Sequence, residues 1–237
     1  MTRPVVVVAG STSPAGMAVV TALVDAGFCV AAVDLDGEKV SALADSLPLV
    51  SGFVCNLADP VAVDALAVSV REELGPVRGL IHLVGGWRGA DGIVQQTDAD
   101  WDSLNTGIVT TLRNTSRSFY DDLEAAAGGR LAIVSARSVT APTAGIANYV
   151  AVKAAAEAWT RAIADGFRAS AAQSKDSRLG AAAVVFVVKA LVDDGMRKAQ
   201  PDRTFPGFTD VNTLASATVD LFDTPAHLIN GALVPLP

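Results

Sequence analysis

The chain has 237 residues, a length that suits one large α/β domain or two small ones. Hydrophobic residues make up 51% of it and charged residues 18%, which is ample for one core. The formal net charge of −7 argues against nucleic acid as a partner.

The N-terminal region and the cysteines indicate the compartment. The first apolar run, Val5–Val8, is too short for a signal peptide or a membrane-spanning helix. Cys29 and Cys55 each lie inside an apolar run, which favours buried thiols over a disulfide and fits a reducing environment. We therefore expect a cytoplasmic protein with no membrane partner and no metal site.

Short apolar runs alternate with longer stretches of helical periodicity along the chain. The runs are continuous in apolar character, as parallel strands buried on both faces require. Seven strands are predicted, at Val5–Ala9, Phe28–Val33, Leu49–Cys55, Leu80–Val84, Leu131–Val134, Ala181–Val188 and Ala232–Val234. Helices are predicted near Ala15–Ala26, Glu38–Ser46, Pro60–Leu74, Ala99–Ala127, Ala147–Ala172 and Val211–Leu221.

Repeated βα units predict an α/β fold with a doubly wound parallel sheet. No linker divides the chain, so residues 1–237 are predicted to form a single Rossmann-type domain. The least regular stretch is Ala190–Asp210, which contains Met196, Phe205 and Phe208. A loop of that length in a compact domain is usually a functional lid or is disordered. We interpret it as a substrate lid, although its apolar residues could equally anchor it to the core.

The first predicted strand leads through a glycine-containing turn into a helix. Ser13 suits the N-cap and Pro14 the first helical position, and the free N–H groups there favour an anion such as a pyrophosphate. Gly10 lets the turn form, and Gly16 permits close packing of helix on strand. The alternative is an ordinary βα turn without a ligand.

An acidic residue ends the second predicted strand. Asp34 is placed to accept hydrogen bonds from ribose hydroxyls and would repel a 2′-phosphate. This position favours NAD(H) over NADP(H) as the cofactor. The alternative role for an Asp at this turn is to cap the next helix, and Asp36 suits that role.

Tyr149 and Lys153 stand four residues apart in a predicted helix and therefore share one face. The ammonium is expected to favour phenolate and to lower the pKa of Tyr149, so that the phenol can exchange a proton with a carbonyl or an alcohol. Taken alone, this spacing also describes an ordinary surface pair.

With these residues in place, the chain resembles the short-chain dehydrogenase/reductase family over essentially its whole length. The resemblance is ordered: a glycine turn, an acidic second-strand end, Gly85-Gly86 after the fourth strand, Asn105, then Tyr149 and Lys153. It implies that Tyr149 is the acid/base and that Lys153 holds the nicotinamide ribose. It also implies that Asn105 helps to hold a water in a proton relay.

Four positions depart from the family pattern. Pro14 replaces a glycine of the first turn, and Asn56 stands where an Asp commonly contacts adenine. A Pro-Gly segment after the sixth strand is absent, and Ala136 occupies the place of the catalytic serine. Ser135 and Ser138 flank it. A one-residue slip turns a side chain to the opposite face of a strand, so we expect Ser138, just past the strand, to be the replacement.

Similar departures occur in one branch of the family, dihydropteridine reductase. The Val84–Trp87 segment, the acidic second-strand end and Ala136-Arg137 all resemble that branch, whose members use NADH and retain the Tyr/Lys pair. His82 replaces the first Asn of the family's Asn-Asn-Ala-Gly segment. A lone His at a strand end is more often structural, and we assign it no chemistry.

The sequence therefore predicts an NAD(H)-dependent oxidoreductase acting on a small carbonyl, alcohol, imine or quinonoid substrate. The resemblance implies a homodimer or homotetramer formed through the helices of Asn105 and Tyr149, whose Ala-rich stretches permit close packing, although these alanines could instead pack against the protein's own sheet. The alternative is a catalytically weak dinucleotide-binding sensor or partner protein. The predicted catalytic residues are Tyr149, Lys153, Asn105 and Ser138. The predicted cofactor contacts are Gly10, Ser11, Ser13, Ala15, Gly16, Asp34, Leu35, Asn56, Leu57, Val84, Gly85, Gly86, Tyr149 and Lys153.

Overall fold

The computed structural model describes residues 3–173 and 178–237. Nine strands lie in this part of the chain. Seven of them form one parallel sheet in the order β3-β2-β1-β4-β5-β6-β9. Their bounds are β1 Val5–Ala9, β2 Cys29–Asp34, β3 Val50–Val54, β4 Val77–His82, β5 Arg130–Ala136, β6 Ala182–Val188, β7 Leu191–Val192, β8 Thr209–Asp210 and β9 Leu233–Pro235. The predicted doubly wound, seven-stranded parallel fold is confirmed.

Helices cover both faces of the sheet. They are α1 Pro14–Asp25, α2 Gly37–Ser46, α3 Pro60–Leu74, α4 Asp98–Leu104, α5 Thr111–Ser118, α6 Tyr120–Ala125, α7 Ala147–Gln173, α8 Asp194–Ala199, α9 Val211–Asp223 and α10 Ala226–Ile229. A π-helical segment at Asn105–Thr110 joins α4 to α5.

Each face of the sheet has its own apolar core, because side chains alternate along every strand. Val5, Val7 and Ala9 of β1 pack with residues of α3, α5 and α7. Val6 and Val8 pack on the other face with residues of α1 and α9. All five residues of β1 are fully buried, which explains why the strand reads as an unbroken apolar run.

Two predicted elements differ from the observed ones. The single helix expected at Ala99–Ala127 is broken into α4, the π segment, α5 and α6. The stretch Ala190–Asp210 was expected to be irregular, and that expectation is wrong. It contains α8 and a parallel two-stranded ladder of β7 with β8, which is closed by the main-chain bond from Thr209 to Ala190.

Within residues 3–173 and 178–237, none of the helices combines the length and the apolar character needed to cross a bilayer. Cys29 and Cys55 are free thiols, as predicted.

Candidate active site

The crevice between β1 and β4 lies where the sheet reverses its winding direction, because β2 lies on one side of β1 and β4 on the other. In open α/β sheets the carboxyl ends of the strands at such a point form the usual ligand crevice. Here the chain after β1 packs against the chain after β4: a Cβ added to Gly10 would lie 3.0 Å from the Leu83 carbonyl carbon and from the Val84 nitrogen.

The glycine turn after β1 leaves no room for side chains at two positions. Gly10 has a φ of +83°, which favours glycine. A Cβ on Gly16 would collide with the Gly10 carbonyl oxygen and would lie 2.7 Å from the Ser11 Cα. The Ser13 hydroxyl accepts a hydrogen bond from Gly16 N at 3.0 Å, so Ser13 caps α1 with Pro14 next to it, as predicted. The Ser11 hydroxyl is buried and has no partner among the described residues.

Asp34 is fixed at the rim of this turn. One carboxylate oxygen accepts from the Thr12 N–H at 3.0 Å and from the Thr12 hydroxyl at 2.7 Å, and the other accepts from Leu35 N at 2.8 Å. The carboxylate therefore has a defined position beside the glycine turn. Asp36, by contrast, caps α2 through Lys39 N, as the sequence indicated.

The loop after β3 forms the next part of the rim. Asn56 is exposed and accepts from Ala58 N at 3.1 Å, whereas Leu57 is buried. Asn114 of α5 fixes this loop, because its side-chain amide donates to the carbonyls of Leu57 at 3.0 Å and Ala58 at 3.2 Å. Nothing in the sequence around Asn114 indicates this contact.

Beyond β4, Gly85 and Gly86 are exposed, and a Cβ on Gly85 would lie 3.9 Å from Lys153 Nζ. His82, at the end of β4, is only 3% exposed, and its Nε2 has no partner among the described residues. Burial, together with the charge of Lys153, lowers the pKa of His82 to about 3. The imidazole is therefore neutral at physiological pH.

Tyr149 and Lys153 lie in the first two turns of α7, and the Lys153 Nζ is 5.8 Å from the centre of the Tyr149 ring. Lys153 is buried, and its ammonium donates to the Val134 carbonyl oxygen of β5 at 2.8 Å. Tyr149 is half-buried in the core cluster on this face of the sheet. The pair therefore faces the sheet rather than solvent, which excludes the ordinary surface pair.

The expected lowering of the Tyr149 pKa is wrong for this structure. Burial raises the pKa of Tyr149 above its usual value, because a phenolate loses hydration there. Burial also lowers the pKa of Lys153 to about 8, although the charge of Glu157 works in the opposite direction. Both groups are displaced toward their neutral forms.

Ala136 and the two serines that flank its position, Ser135 and Ser138, differ in burial. Ala136 is buried at the end of β5, and Ser135 is also buried, donating to Glu157 at 2.6 Å. Ser138 lies in a short 3-10 helix, residues 137–140, and is half-buried. Asn105 opens the π segment and is also half-buried. π-helical turns inside helices are frequently found at functional sites.

Two loops beside Tyr149 are tied to each other. The Gln96 side chain donates to the Ala144 carbonyl at 3.2 Å and accepts from Asn148 N at 3.1 Å. The Asn148 side chain donates to the Thr97 carbonyl at 3.0 Å, and Ala90 N donates to the Gly145 carbonyl at 2.7 Å. The loop after β4 is therefore anchored to the start of α7.

The family model for short chain dehydrogenases matches residues 4–171, well over half of the chain. The chain belongs to the short-chain dehydrogenase/reductase family. Members of this family are oxidoreductases that bind a nicotinamide dinucleotide and act on small molecules, and they are often oligomeric.

The chain is similar to two curated relatives over part of its length. It is 26% identical over 161 residues to 2,3-dihydro-2,3-dihydroxybenzoate dehydrogenase of Bacillus subtilis (strain 168), covering 66% of this chain and 61% of that protein. It is 29% identical over 152 residues to acetoacetyl-CoA reductase of Synechocystis sp., covering 63% of this chain and 60% of that protein. The matches thus span less than two thirds of either relative.

A solved structure shows the same fold. The NADPH-bound short chain oxidoreductase from Pseudomonas aeruginosa PAO1, described as containing an atypical catalytic center, superposes with a TM-score of 0.83. It is 20% identical, and the match covers 100% of this chain and 97% of that one.

One further feature of this family member lies away from the crevice. A cavity of 1330 Å³ lies at the amino ends of β5 and β6, where Arg130 donates to the carbonyls of Leu221 at 2.6 Å and Thr224 at 2.7 Å. We interpret this arginine as an anchor for the end of α9. Among the described residues, no group of three or more His, Cys, Asp or Glu side chains could hold a metal ion.

The packing of the glycine turn generates a first prediction. Gly16→Ala places a methyl group against the Gly10 carbonyl, so we expect the turn to open and the affinity for a nicotinamide dinucleotide to fall at least ~10-fold, about 1.4 kcal/mol. Isothermal titration calorimetry measures the affinity. The matched control is Gly107→Ala, because a Cβ there meets nothing within 4 Å. Equal affinities of the two variants would contradict the close-packed turn.

Proposed function

We propose that this protein is an NAD(H)-dependent oxidoreductase that transfers a hydride between nicotinamide and a carbonyl, alcohol, imine or quinonoid substrate, with Tyr149 as the acid/base. The observation that supports the proposal is the position of Lys153, whose Nζ lies 5.8 Å from the centre of the Tyr149 ring and 3.9 Å from where a Cβ on Gly85 would stand. The segment after β4 that contains Gly85 also packs against Gly10 of the glycine turn, at the carboxyl ends of β1 and β4.

The residues of the crevice fit a dinucleotide. The turn around Gly10, Ser11 and Gly16 offers close backbone approach and a helix N-terminus, which suit a pyrophosphate. Its donors are fewer than usual, because Pro14 has no N–H and Ser13 already occupies that of Gly16. The remaining predicted contacts come from the first turn of α1 and from the segments after β1, β2, β3 and β4: Ser13, Ala15, Leu35, Asn56, Leu57, Val84, Gly85 and Gly86.

Asp34 supports NAD(H) over NADP(H). Its carboxylate is fixed by three hydrogen bonds and is not neutralised by an ion pair with a described residue. A ribose hydroxyl could donate to it, whereas a 2′-phosphate would bring a second negative charge to the same place. The NADPH seen in the similar Pseudomonas structure belongs to a protein only 20% identical.

The chemistry divides between the cofactor and the chain. Bound nicotinamide would supply or accept the hydride. Tyr149, whose raised pKa keeps the phenol protonated, donates a proton to the substrate oxygen or nitrogen during reduction. Lys153 holds the ribose and stabilises the phenolate as it forms, so its charge is required. Asn105 and Ser138 are the proposed relay and substrate-orienting groups.

Substrate selection falls to the exposed segments around Tyr149. Trp87 is 63% exposed on the loop that Gln96 anchors, and it offers a flat apolar surface. The proposed lid, residues 190–210, is held by the 2.6 Å ion pair of Arg197 with Asp210. Phe205 and Phe208 pack against each other with ring centres 5.5 Å apart, so they stabilise the segment itself.

One observation favours the second candidate function, a dinucleotide-binding protein with weak or no activity. Ala136 is buried where the family has its serine, and Ser135 is committed to Glu157. Only Ser138 remains to orient a substrate. A screen of carbonyl, imine and quinonoid pterin substrates with NADH distinguishes the two functions. NADH binding without turnover of any of these substrates would favour the dinucleotide-binding protein of weak or no activity.

The outer face of α7 supports self-association. Ala151, Ala155, Ala158 and Ala162 form an exposed stripe at helical spacing, whereas Ala156 is buried against the protein's own core. A 420 Å³ depression beside this stripe is lined by residues of α5, α6 and α7, including Tyr120 and Trp159. A second copy packed here through α5 and α7 would cover both features.

Tyr149→Phe tests the mechanism. It removes the exchangeable proton and keeps the ring, so we expect turnover to fall by ~10²-fold or more while NADH affinity stays within about twofold. Steady-state rates on a confirmed substrate and calorimetric binding measure the two effects. Tyr120→Phe is the matched control, since Tyr120 stacks on Phe167 away from the crevice. A Tyr149→Phe enzyme that keeps its rate would refute the acid/base role.

Asp34→Ala tests the cofactor preference. We expect the wild-type protein to bind NADH more tightly than NADPH, and the variant to narrow that ratio by ~10-fold, or about 1.4 kcal/mol. Calorimetric titration with each cofactor measures the ratio, and Asp36→Ala, which removes an exposed helix cap, is the control. Tighter binding of NADPH by the wild-type chain would overturn the argument from Asp34.

Ala158→Arg tests the oligomer. A charged side chain on the exposed stripe should prevent close helix packing and shift the protein to monomers, as measured by multi-angle light scattering at micromolar concentration. Ala65→Arg, on the exposed face of α3, should leave the assembly intact. A wild-type protein that is already monomeric under these conditions would end the proposal.

A further inference from the structure

A buried polar cluster that includes Lys153 lies between α7 and the strands β4 and β5. Its members are almost inaccessible: the exposed fraction is 8% for Lys153, 5% for Glu157, 3% for His82 and 1% for Ser135. Carboxylates and ammonium groups are rarely buried unless they are paired. The charges in this cluster therefore need an explanation beyond the family pattern, which accounts for Lys153 alone.

The geometry of the cluster is a double contact between α7 and β5. Lys153 and Glu157 stand one helical turn apart, and they reach two consecutive residues of β5. The Lys153 ammonium donates to the Val134 carbonyl at 2.8 Å, and the Ser135 hydroxyl donates to Glu157 Oε1 at 2.6 Å. The Glu157 carboxylate is therefore fixed on the same side of α7 as the Lys153 ammonium, and both groups contact neighbouring residues of β5.

The surroundings of Lys153 decide what this carboxylate does. The titratable groups facing it are His82 from β4, and Tyr149 and Glu157 from α7; its contact on β5 is a carbonyl. Tyr149 and His82 are neutral at physiological pH, so neither offsets the cost of burying a positive charge. Glu157 is the one anionic side chain among these groups.

We propose that Glu157 is a positioning residue, whose buried carboxylate, held by Ser135, keeps the Lys153 ammonium charged at the place where Tyr149 requires it. The consequence for catalysis rests on the proposed function. The electrostatic claim does not, because it concerns two side chains of the ligand-free protein. The competing explanation is that Glu157 only fastens α7 to β5 and has no effect on Lys153.

The experiment is a direct titration of Lys153 in the free protein. The chain has five lysines, so ¹³C-lysine NMR gives few signals, and Lys153→Met assigns the relevant one. Glu157→Gln removes the negative charge and keeps the shape. We expect the titration midpoint of Lys153 to fall by about one pH unit or more. Glu72→Gln, an exposed site on α3, should leave it unchanged.

Two further variants keep the test decisive. Glu157→Asp retains the charge and should restore the midpoint at least in part. If Glu157→Gln does not fold, the double variant Ser135→Ala/Glu157→Met removes both hydrogen-bonding partners together and leaves no unpaired group. The same fall is expected there. An unchanged Lys153 midpoint in a folded variant would overturn the proposal and leave Glu157 as a structural clamp.

Catalysis provides a second, separate readout. If the oxidoreductase activity is established, the alkaline limb of the kcat/KM profile for reduction should move to lower pH in Glu157→Gln, since Lys153 loses its proton earlier. A shifted NMR titration without any activity would support the electrostatic role and refute the proposed function. Activity with an unshifted Lys153 titration would support the proposed function and refute the electrostatic role of Glu157.

Discussion

The constraint on which the site depends is the burial of the Lys153 ammonium. Removing a cation from water has an effective cost of several kcal/mol, and its displaced pKa of about 8 shows that the cost is not fully offset. One hydrogen bond to Val134 ties the group to β5. Because this contact requires α7 to lie at one height on the sheet, the position of Tyr149 one turn earlier is fixed as well.

The same close packing explains how the chain tolerates its departures from the family pattern. Pro14 occupies the first helical position, where an N–H has no intrahelical partner and a fixed φ is favourable. The tight approach at the turn depends instead on Gly10 and Gly16, which are both present. Ala136 removes a hydroxyl without opening the core, since it stays buried at the end of β5. The departures affect catalytic donors more than the architecture.

The sequence predicted the sheet well, because strands buried on both faces must be apolar throughout, as β1 and β6 are. It also predicted the cap of α1 at Ser13 and the shared helix face of Tyr149 and Lys153, because both follow from local spacing. It could not predict the sign of the pKa shift of Tyr149. Spacing shows that an ammonium is near, but burial, which outweighs it here, is a property of the folded chain.

The other errors have the same origin. The ladder of β7 with β8 joins residues about twenty positions apart, and neither it nor the π-helical turn at Asn105–Thr110 produces a periodic signal in the sequence. Asn114 and Gln96 look like ordinary polar residues of a helix and a loop until the fold places carbonyls beside them. Asn148, directly before Tyr149, donates to the Thr97 carbonyl of the loop after β4, a contact that its position in the sequence does not indicate.

Under the proposed function, the residues that would hold the cofactor and those that would contact the substrate belong to separately anchored segments. Asp34 and the glycine turn stand at the ends of β2 and β1, whereas the loop after β4 is tied to the start of α7 and the segment 190–210 is held by its own ion pair of Arg197 with Asp210. Under the proposed function, changes in these two segments would alter substrate choice without disturbing the buried Lys153 cluster. Selection for a new substrate is therefore expected to act on Trp87 and its neighbours, while the Tyr149/Lys153 pair, which Lys153 ties to β5, stays as it is.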